Sequence, residues 1–244
     1  MTNPTAAAVI IGNEILSGRT LDVNTQEIAL KLGEIGISFL ETRTIPDDKR
    51  MIVDTIRELS PKYDYIFTTG GIGPTHDDIT AESVADAFDL LYVRNEKIYN
   101  IIKENYGTLE EEINSAREKM AYVPAGSDLI HNNVTKIPGF VTHNVFAMAG
   151  IPEIMSAMLN SSLPMLQKGK IVKSKSVDVF VTESKIADQF SNLQQKYKNV
   201  EMGSYPFSKE SKHGTSLVLR SSDYDSLDIA FKELNQLLNE LKKQ

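Results

Sequence analysis

Apolar residues gather first at Ala6–Ile11, a continuous run that stops at Gly12 and reads as a short buried strand feeding a loop. From Asn24 the spacing turns helical. Ile28, Leu32 and Ile35 share one face, Asn24 is the expected N-cap with Glu27 three residues on, and Gly36 closes the element. Ile37–Ile45 reads as a second strand. Asp47 is expected to open a helix that carries Ile52, Ile56 and Leu59 before Pro61, and Tyr63–Thr68 follows as the third strand. A helix is predicted to begin near Asp78, another to cover Asn95–Met120, and a strand to span Val145–Ala149. Pro152 suits the first position of a helix running to Leu163.

Strands that alternate with helices in this way predict an α/β fold, a mostly parallel sheet covered on both faces to make three layers. Ligands of such sheets bind beyond the carboxyl ends of the strands, which puts Gly12–Gly18 and Thr68–Asp78 on one edge. The pattern resets around Gln167–Gly169. The expected division is therefore a first domain over 1–168 and a small α+β domain over 169–244. In the latter, Val177–Val181, Val200–Tyr205 and Ser216–Arg220 read as strands, and Ser184–Lys198 and Tyr224–Leu241 as helices. This β-α-β-β-α order favours helices packed on one side of an antiparallel sheet.

Composition narrows the function classes. With 41% hydrophobic and 24% charged residues the chain is an ordinary globular protein. It has no apolar run long enough to span a bilayer and no basic, then apolar, leader, so a cytoplasmic protein without a membrane partner is expected. The absence of cysteine excludes disulfides, thiolate metal sites and a cysteine nucleophile. A net charge of -7 argues against a nucleic-acid partner, because such binding draws on Lys and Arg neutralising phosphates. The charge is uneven: 14 basic and 23 acidic residues up to Gly169, then 12 and 10 from Lys170 onward. An RNA-binding role for the tail gains from that balance, but the tail lacks a Gly-x-x-Gly backbone clamp.

The most informative segment is Thr68-Thr69-Gly70-Gly71-Ile72-Gly73-Pro74-Thr75-His76-Asp77-Asp78-Ile79-Thr80. Three glycines directly after a strand let the backbone turn sharply and present N–H groups to an anionic phosphate. The N-terminus of the following helix adds partial positive charge. Asp77 and Asp78 suit such a place only with a divalent cation between carboxylate and phosphate, which is the oxygen ligand set of Mg²⁺. The bland alternative is a glycine turn with one Asp capping a helix. His76 reads either as a phosphate or metal contact or as an ordinary turn residue. Ser17 and Thr69 have no base beside them in sequence and read as hydrogen-bond donors to phosphate.

This segment resembles the TTGG-x-GPT-x-DD-x-T signature of the molybdopterin-binding domain family, which includes molybdopterin adenylyltransferases and the N-terminal part of CinA-like proteins. The CinA-like branch is the nearer likeness. Its marks here are Gly12-Asn13-Glu14-Ile15-Leu16-Ser17-Gly18, Asp22, Asn24, the GPTHDDIT loop, Asn133, Pro138-Gly139-Phe140 and Gly150-Ile151-Pro152-Glu153-Ile154-Met155. The likeness covers about the first 165 residues, and the tail resembles the small second domain of that branch. The C-terminal deamidase domain of many CinA-like proteins is expected to be missing. Two positions depart from the family: Ala149 stands where a Pro is common, and Thr135-Lys136 where a Gly is common after the Asn.

The resemblance implies hydrolysis of the pyrophosphate of ADP-ribose or a flavin dinucleotide, or else binding or adenylylation of molybdopterin. It implies a ligand site of Gly12, Asn13, Ser17, Asn24, Thr69, Gly70, Gly71, Gly73, Pro74, Thr75, Asn133, Gly150, Pro152 and Glu153, with Asp77 and Asp78 as metal ligands. Glu14 either meets a ribose hydroxyl or a metal-held water, or is a solvated loop acid. Asp47 matches an acidic position of the adenylyltransferases and serves equally as an N-cap. Glu14 and Asp47 join Asp77 and Asp78 as candidate catalytic residues. The expected partner is thus a small nucleotide or pterin, turned over or merely carried, and a homo-oligomer is one expected assembly.

Overall fold

The structure, a computed structural model, describes residues 3–106, 113–209 and 212–241. The chain divides into two compact units, Met1–Gly169 and Lys170–Gln244. No helix among the described residues is long and apolar enough to cross a membrane.

The first unit is built on a six-stranded sheet. Its strands are β1 (Thr5–Ile11), β2 (Ser38–Ile45), β3 (Tyr65–Thr69), β6 (Asp128–Ile130), β7 (Gly139–Thr142) and β8 (Val145–Met148), in the spatial order β2-β1-β3-β8-β7-β6. β2, β1, β3 and β8 run parallel, and β7 and β6 add on antiparallel. The chain leaves β1 toward one side for β2 and returns on the other side as β3, so the loops after β1 and β3 diverge at a switch in strand order. That is where open α/β sheets hold ligands.

β1 shows why its run is continuously apolar. Ala7, Val9 and Ile11 face one core with Ile52, Ile56 and Leu59 of α3 (Lys49–Leu59) and Val84 of α4 (Thr80–Ala87). Ala6, Ala8 and Ile10 face the other core, with Ile28 and Leu32 of α2 (Asn24–Glu34) and Met155, Met158 and Leu159 of α7 (Pro152–Ser162). A parallel strand buried on both faces cannot alternate apolar with polar. A short helix α1 (Asn13–Leu16) follows β1, and α5 (Glu96–Tyr106), α6 (Ser115–Lys119) and a two-stranded pair, β4 (Tyr92–Arg94) with β5 (Tyr122–Pro124), complete the unit.

Several sequence expectations need correction. The single helix foreseen over Asn95–Met120 is instead α5 and α6, the second opened by Asn114, whose side chain accepts from Arg117 N–H; its 107–112 stretch lies outside the described residues. Asn24 is not an N-cap. Asp22 takes the N–H groups of Asn24 and Thr25 at 3.0 and 3.2 Å, which frees Asn24 to donate to Gly150 O at 2.8 Å. Nor does Asp47 cap α3. Asp48 accepts from Met51 N–H at 2.9 Å, and the helix begins at Lys49. α4 begins at Thr80, two residues past Asp78, with Thr80 N–H turned back to Gly71 O at 2.9 Å. β3 starts at Tyr65 because Tyr63 N–H still bonds Leu59 O at the end of α3.

In the second unit β9 (Lys173–Val179), β10 (Glu201–Lys209) and β11 (Lys212–Ser221) form an antiparallel sheet in the order β10-β11-β9. α8 (Glu183–Lys196) and α9 (Tyr224–Leu241) share a core with its Val179, Leu217 and Leu219, so the helices sit on one side, as the element order implies.

Candidate functional site

The loop after β3 is shaped by close approaches. Gly70 has φ +100°, and a Cβ there would lie 2.1 Å from the Ile11 carbonyl oxygen. Gly71 has φ +70°, and its Cβ would lie 2.1 Å from Thr80 Oγ1. Both conformations favour glycine, and at Gly70 the contact with the backbone excludes a side chain. Thr80 locks the turn by donating its hydroxyl to Gly70 O at 2.9 Å, and Gly70 N–H donates to Met148 O of β8 at 3.1 Å.

Beyond Gly73 the loop brings two carboxylates onto one hydroxyl. Thr75 Oγ1 lies 2.5 Å from Asp77 Oδ1 and 2.5 Å from Asp78 Oδ2, so these carboxylate oxygens are at most 5.0 Å apart. One hydroxyl hydrogen serves one acceptor at a time, and the pair therefore carries negative charge that Thr75 does not satisfy. Asp78 Oδ2 also accepts from Thr75 N–H at 2.7 Å, and Lys119 Nζ donates to Thr75 O at 2.8 Å. The Thr75 hydrogen bond holds the Asp77 carboxyl below its ordinary range, with smaller help from His76 and Lys119. His76 itself is 98% exposed, its Nδ1 3.9 Å from Asp77.

The loop after β1 supplies the facing wall. Asp47, released from capping by Asp48, accepts from Asn13 N–H at 2.9 Å and so ties the end of β2 to this loop. The Glu14 carboxylate folds over Gly12, where a Cβ would meet it at 2.5 Å. Glu14, Asp47, Gly70, Gly71, Gly73, Pro74, Asp77 and Asp78 all line one cleft of about 470 Å³, together with Gly150 from the loop after β8. The size is that of a small-molecule site.

A smaller recess of about 50 Å³ adjoins it through Ile11, Glu14 and Gly150, and Asn24, Thr69 and Pro152 line this recess. Asn24 and Thr69 are buried to 6% and 1% exposure, yet Asn24 Oδ1 and Thr69 Oγ1 have no hydrogen-bond partner among the described residues. Since Asn24 gives its amide N–H to Gly150 O, its oxygen is fixed as an acceptor.

Other expected site residues stand apart from these cavities. Ser17 is exposed and donates to Glu14 O at 3.2 Å; Glu153 is exposed in the first turn of α7; Thr75 shapes the loop without lining the cleft. Asn133 is exposed too, and its neighbour Asn132 is the buried one. Asn132 donates to Ile137 O and accepts from the N–H groups of Val134 and Thr135 at 3.1 and 2.9 Å, while Lys136 sits at φ +63°. A residue in that conformation explains why glycine suits this position. Asn132→Ala is expected to cost about 1–3 kcal/mol by removing the three bonds of this part-buried turn; urea denaturation beside Asn133→Ala, expected to be near neutral, checks it.

Sequence reasoning missed one side of the cleft. Tyr106, Met120 and Ile137 line it together with the acids and are drawn from three distant segments. Among the described residues no group of three or more His, Asp or Glu side chains is placed to hold a metal ion.

Residues 7–168 match the family described as "Probable molybdopterin binding domain". The chain belongs to that family, in its CinA-like branch. A crystal structure of the protein CinA from Thermoplasma acidophilum, described as of unknown function, superposes with TM-score 0.63 at 30% identity, covering 68% of this chain and 99% of that one. A protein of Archaeoglobus fulgidus is 34% identical over 95% of this chain and 97% of its own length. A CinA-like protein of Thermosipho melanesiensis is 32% identical over 79% of this chain, which spans 49% of that relative. Residues 172–243 match the family "FAD synthase, middle domain". The molybdopterin-binding match takes in all six strands of the sheet from the third residue of β1 on, so the cleft described above lies on the family's own fold.

Proposed function

We propose that this CinA-like chain is a divalent-metal-dependent hydrolase that splits the pyrophosphate of a dinucleotide such as ADP-ribose or a flavin dinucleotide. The observation that carries the proposal is the convergence of Asp77 and Asp78 on one Thr75 hydroxyl at the lip of the glycine loop. The donor set fits a hard cation. Mg²⁺ commonly takes one or two carboxylates and completes its shell with phosphate oxygens and water, so a pair without a third acid suffices. When bound, the cation supplies charge neutralisation at the pyrophosphate.

The remaining work falls to the chain. Backbone N–H groups of Gly71–Gly73 hold the phosphates, Gly70 N–H being bonded to Met148 O. Glu14, whose carboxylate makes no hydrogen bond to a described residue, lines the same cleft and orients the attacking water. Asp47 keeps the Asn13 turn, and with it Glu14, in place. Water oxygen forms a bond to one phosphorus as the bridging P–O bond breaks, and two phosphomonoesters leave. The likeness of the second unit to the FAD synthase middle domain supports a flavin dinucleotide among the substrates.

The family match equally supports a second reading, a protein that binds molybdopterin or transfers AMP to it. Incubation with ADP-ribose, flavin dinucleotide and ATP, with Mg²⁺ or with chelator, separates the two. Release of AMP and the partner monophosphate from a dinucleotide, abolished by chelator, is expected. Turnover only when a pterin acceptor is present would replace hydrolysis by transfer, and binding without turnover would leave a carrier.

A further inference from the structure

Resting on the reading of this cleft as a nucleotide site, we propose that the wall formed by Tyr106, Met120, Ile137 and Pro138 is the seat of the ligand's flat heteroaromatic ring. The cleft is chemically mixed. Four acids, Glu14, Asp47, Asp77 and Asp78, line it together with the glycine loop and with the aromatic and apolar side chains of Tyr106, Met120, Ile137 and Pro138. A purine or flavin joined to phosphates makes the same double demand, an apolar surface for its ring and a cation for its anionic oxygens.

The wall is also held in place. Tyr106, Met120 and Ile137 are half-buried and pack against the core that includes residues of α4 and α5. Arg117 sets its guanidinium 4.1 Å from the Tyr106 ring centroid and so restrains the ring. The Ile137–Pro138 part is anchored by Asn132 to Ile137 O and by Asn105 to Thr135 O, the latter at 3.1 Å. Apart from the Tyr106 hydroxyl, an aromatic ring, a proline, an isoleucine and a thioether leave no hydrogen-bond demand on the ligand. They reward stacking and fit any ring, which suits a site that selects by ring and phosphate together.

The test is calorimetric binding of AMP, FMN and ribose 5-phosphate to the full chain with Mg²⁺. Ring-bearing AMP or FMN is expected to bind at least tenfold more tightly than ribose 5-phosphate. Tyr106→Ala is expected to erase about tenfold of that advantage, leaving ribose 5-phosphate within twofold, and Tyr106→Phe to preserve it, because stacking needs the ring and not the hydroxyl. The advantage of AMP over FMN, or the reverse, tells purine from flavin. Equal binding of all three by the unaltered chain overturns the proposal, as does equal weakening of all three in Tyr106→Ala. If none binds, the nucleotide reading falls as well. Ring-dependent binding without turnover overturns only hydrolysis and leaves the ring seat standing.

Discussion

Gly70→Ala is expected to lower stability by about 3–4 kcal/mol and to abolish ligand binding, the left-handed backbone costing about 1–3 kcal/mol and the rest coming from the clash. The new Cβ would stand 2.1 Å from the Ile11 carbonyl oxygen. Ile11 has little room to retreat, because it pairs with Ile45 of β2, the next residue Gly12 donates to Ile45 O at 3.1 Å, and Ile10 before it pairs with Thr69 of β3. The loop must therefore move, and the move breaks the Thr80 hydroxyl bond to Gly70 O that closes it. Gly18→Ala separates the two causes. Gly18 has φ +73° but nothing within 4 Å of a Cβ, so only the conformational cost of about 1–2 kcal/mol applies. Urea denaturation of both variants measures the difference, and equal losses would show that the contact with Ile11 carries no weight.

The glycine loop was readable from sequence because every constraint on it is local. A strand, three glycines and two acids follow one another within thirteen residues, and the chemistry of turns demands that order. The helices over α3 and α7 were readable for the same reason, since Ile52, Ile56 and Leu59, or Pro152 at the first position, state their own geometry. Caps were misread where two polar residues compete. Asn24 and Asp47 each have an acid nearby, Asp22 and Asp48, that takes the capping role, and what decides between them is a partner far along the chain: Gly150 O for Asn24, Asn13 N–H for Asp47. Strands of three residues such as β4, β5 and β6 are too short to show a period. The Tyr106 wall was invisible for a further reason. Its residues come from α5, the end of α6 and the segment before β7, and only the packing of those elements brings them to one cleft.

Asp78→Asn is expected to leave the fold intact and to reduce metal-dependent turnover by about two to three orders of magnitude, or roughly 3–4 kcal/mol of transition-state stabilisation. The change tests charge and little else. Asp78 does not cap α4, which begins at Thr80, so no helix cap is lost. Its structural duty is to accept from Thr75 N–H at 2.7 Å, and an amide oxygen still does that. What disappears is one of two negative charges gathered within 5.0 Å around Thr75 Oγ1. Relief of like-charge repulsion offsets any weakening of the turn, so the melting temperature in the absence of metal should fall by no more than a few degrees. Metal affinity should drop together with turnover, and raising the Mg²⁺ concentration should recover part of the rate. Asp77→Asn is the companion measurement, because Asp77 meets the same Thr75 hydroxyl, and similar losses in both variants would mark a shared ion. A folded Asp78→Asn protein with near-normal turnover would remove Asp78 from the metal site and shift the assignment to Asp77 or Glu14.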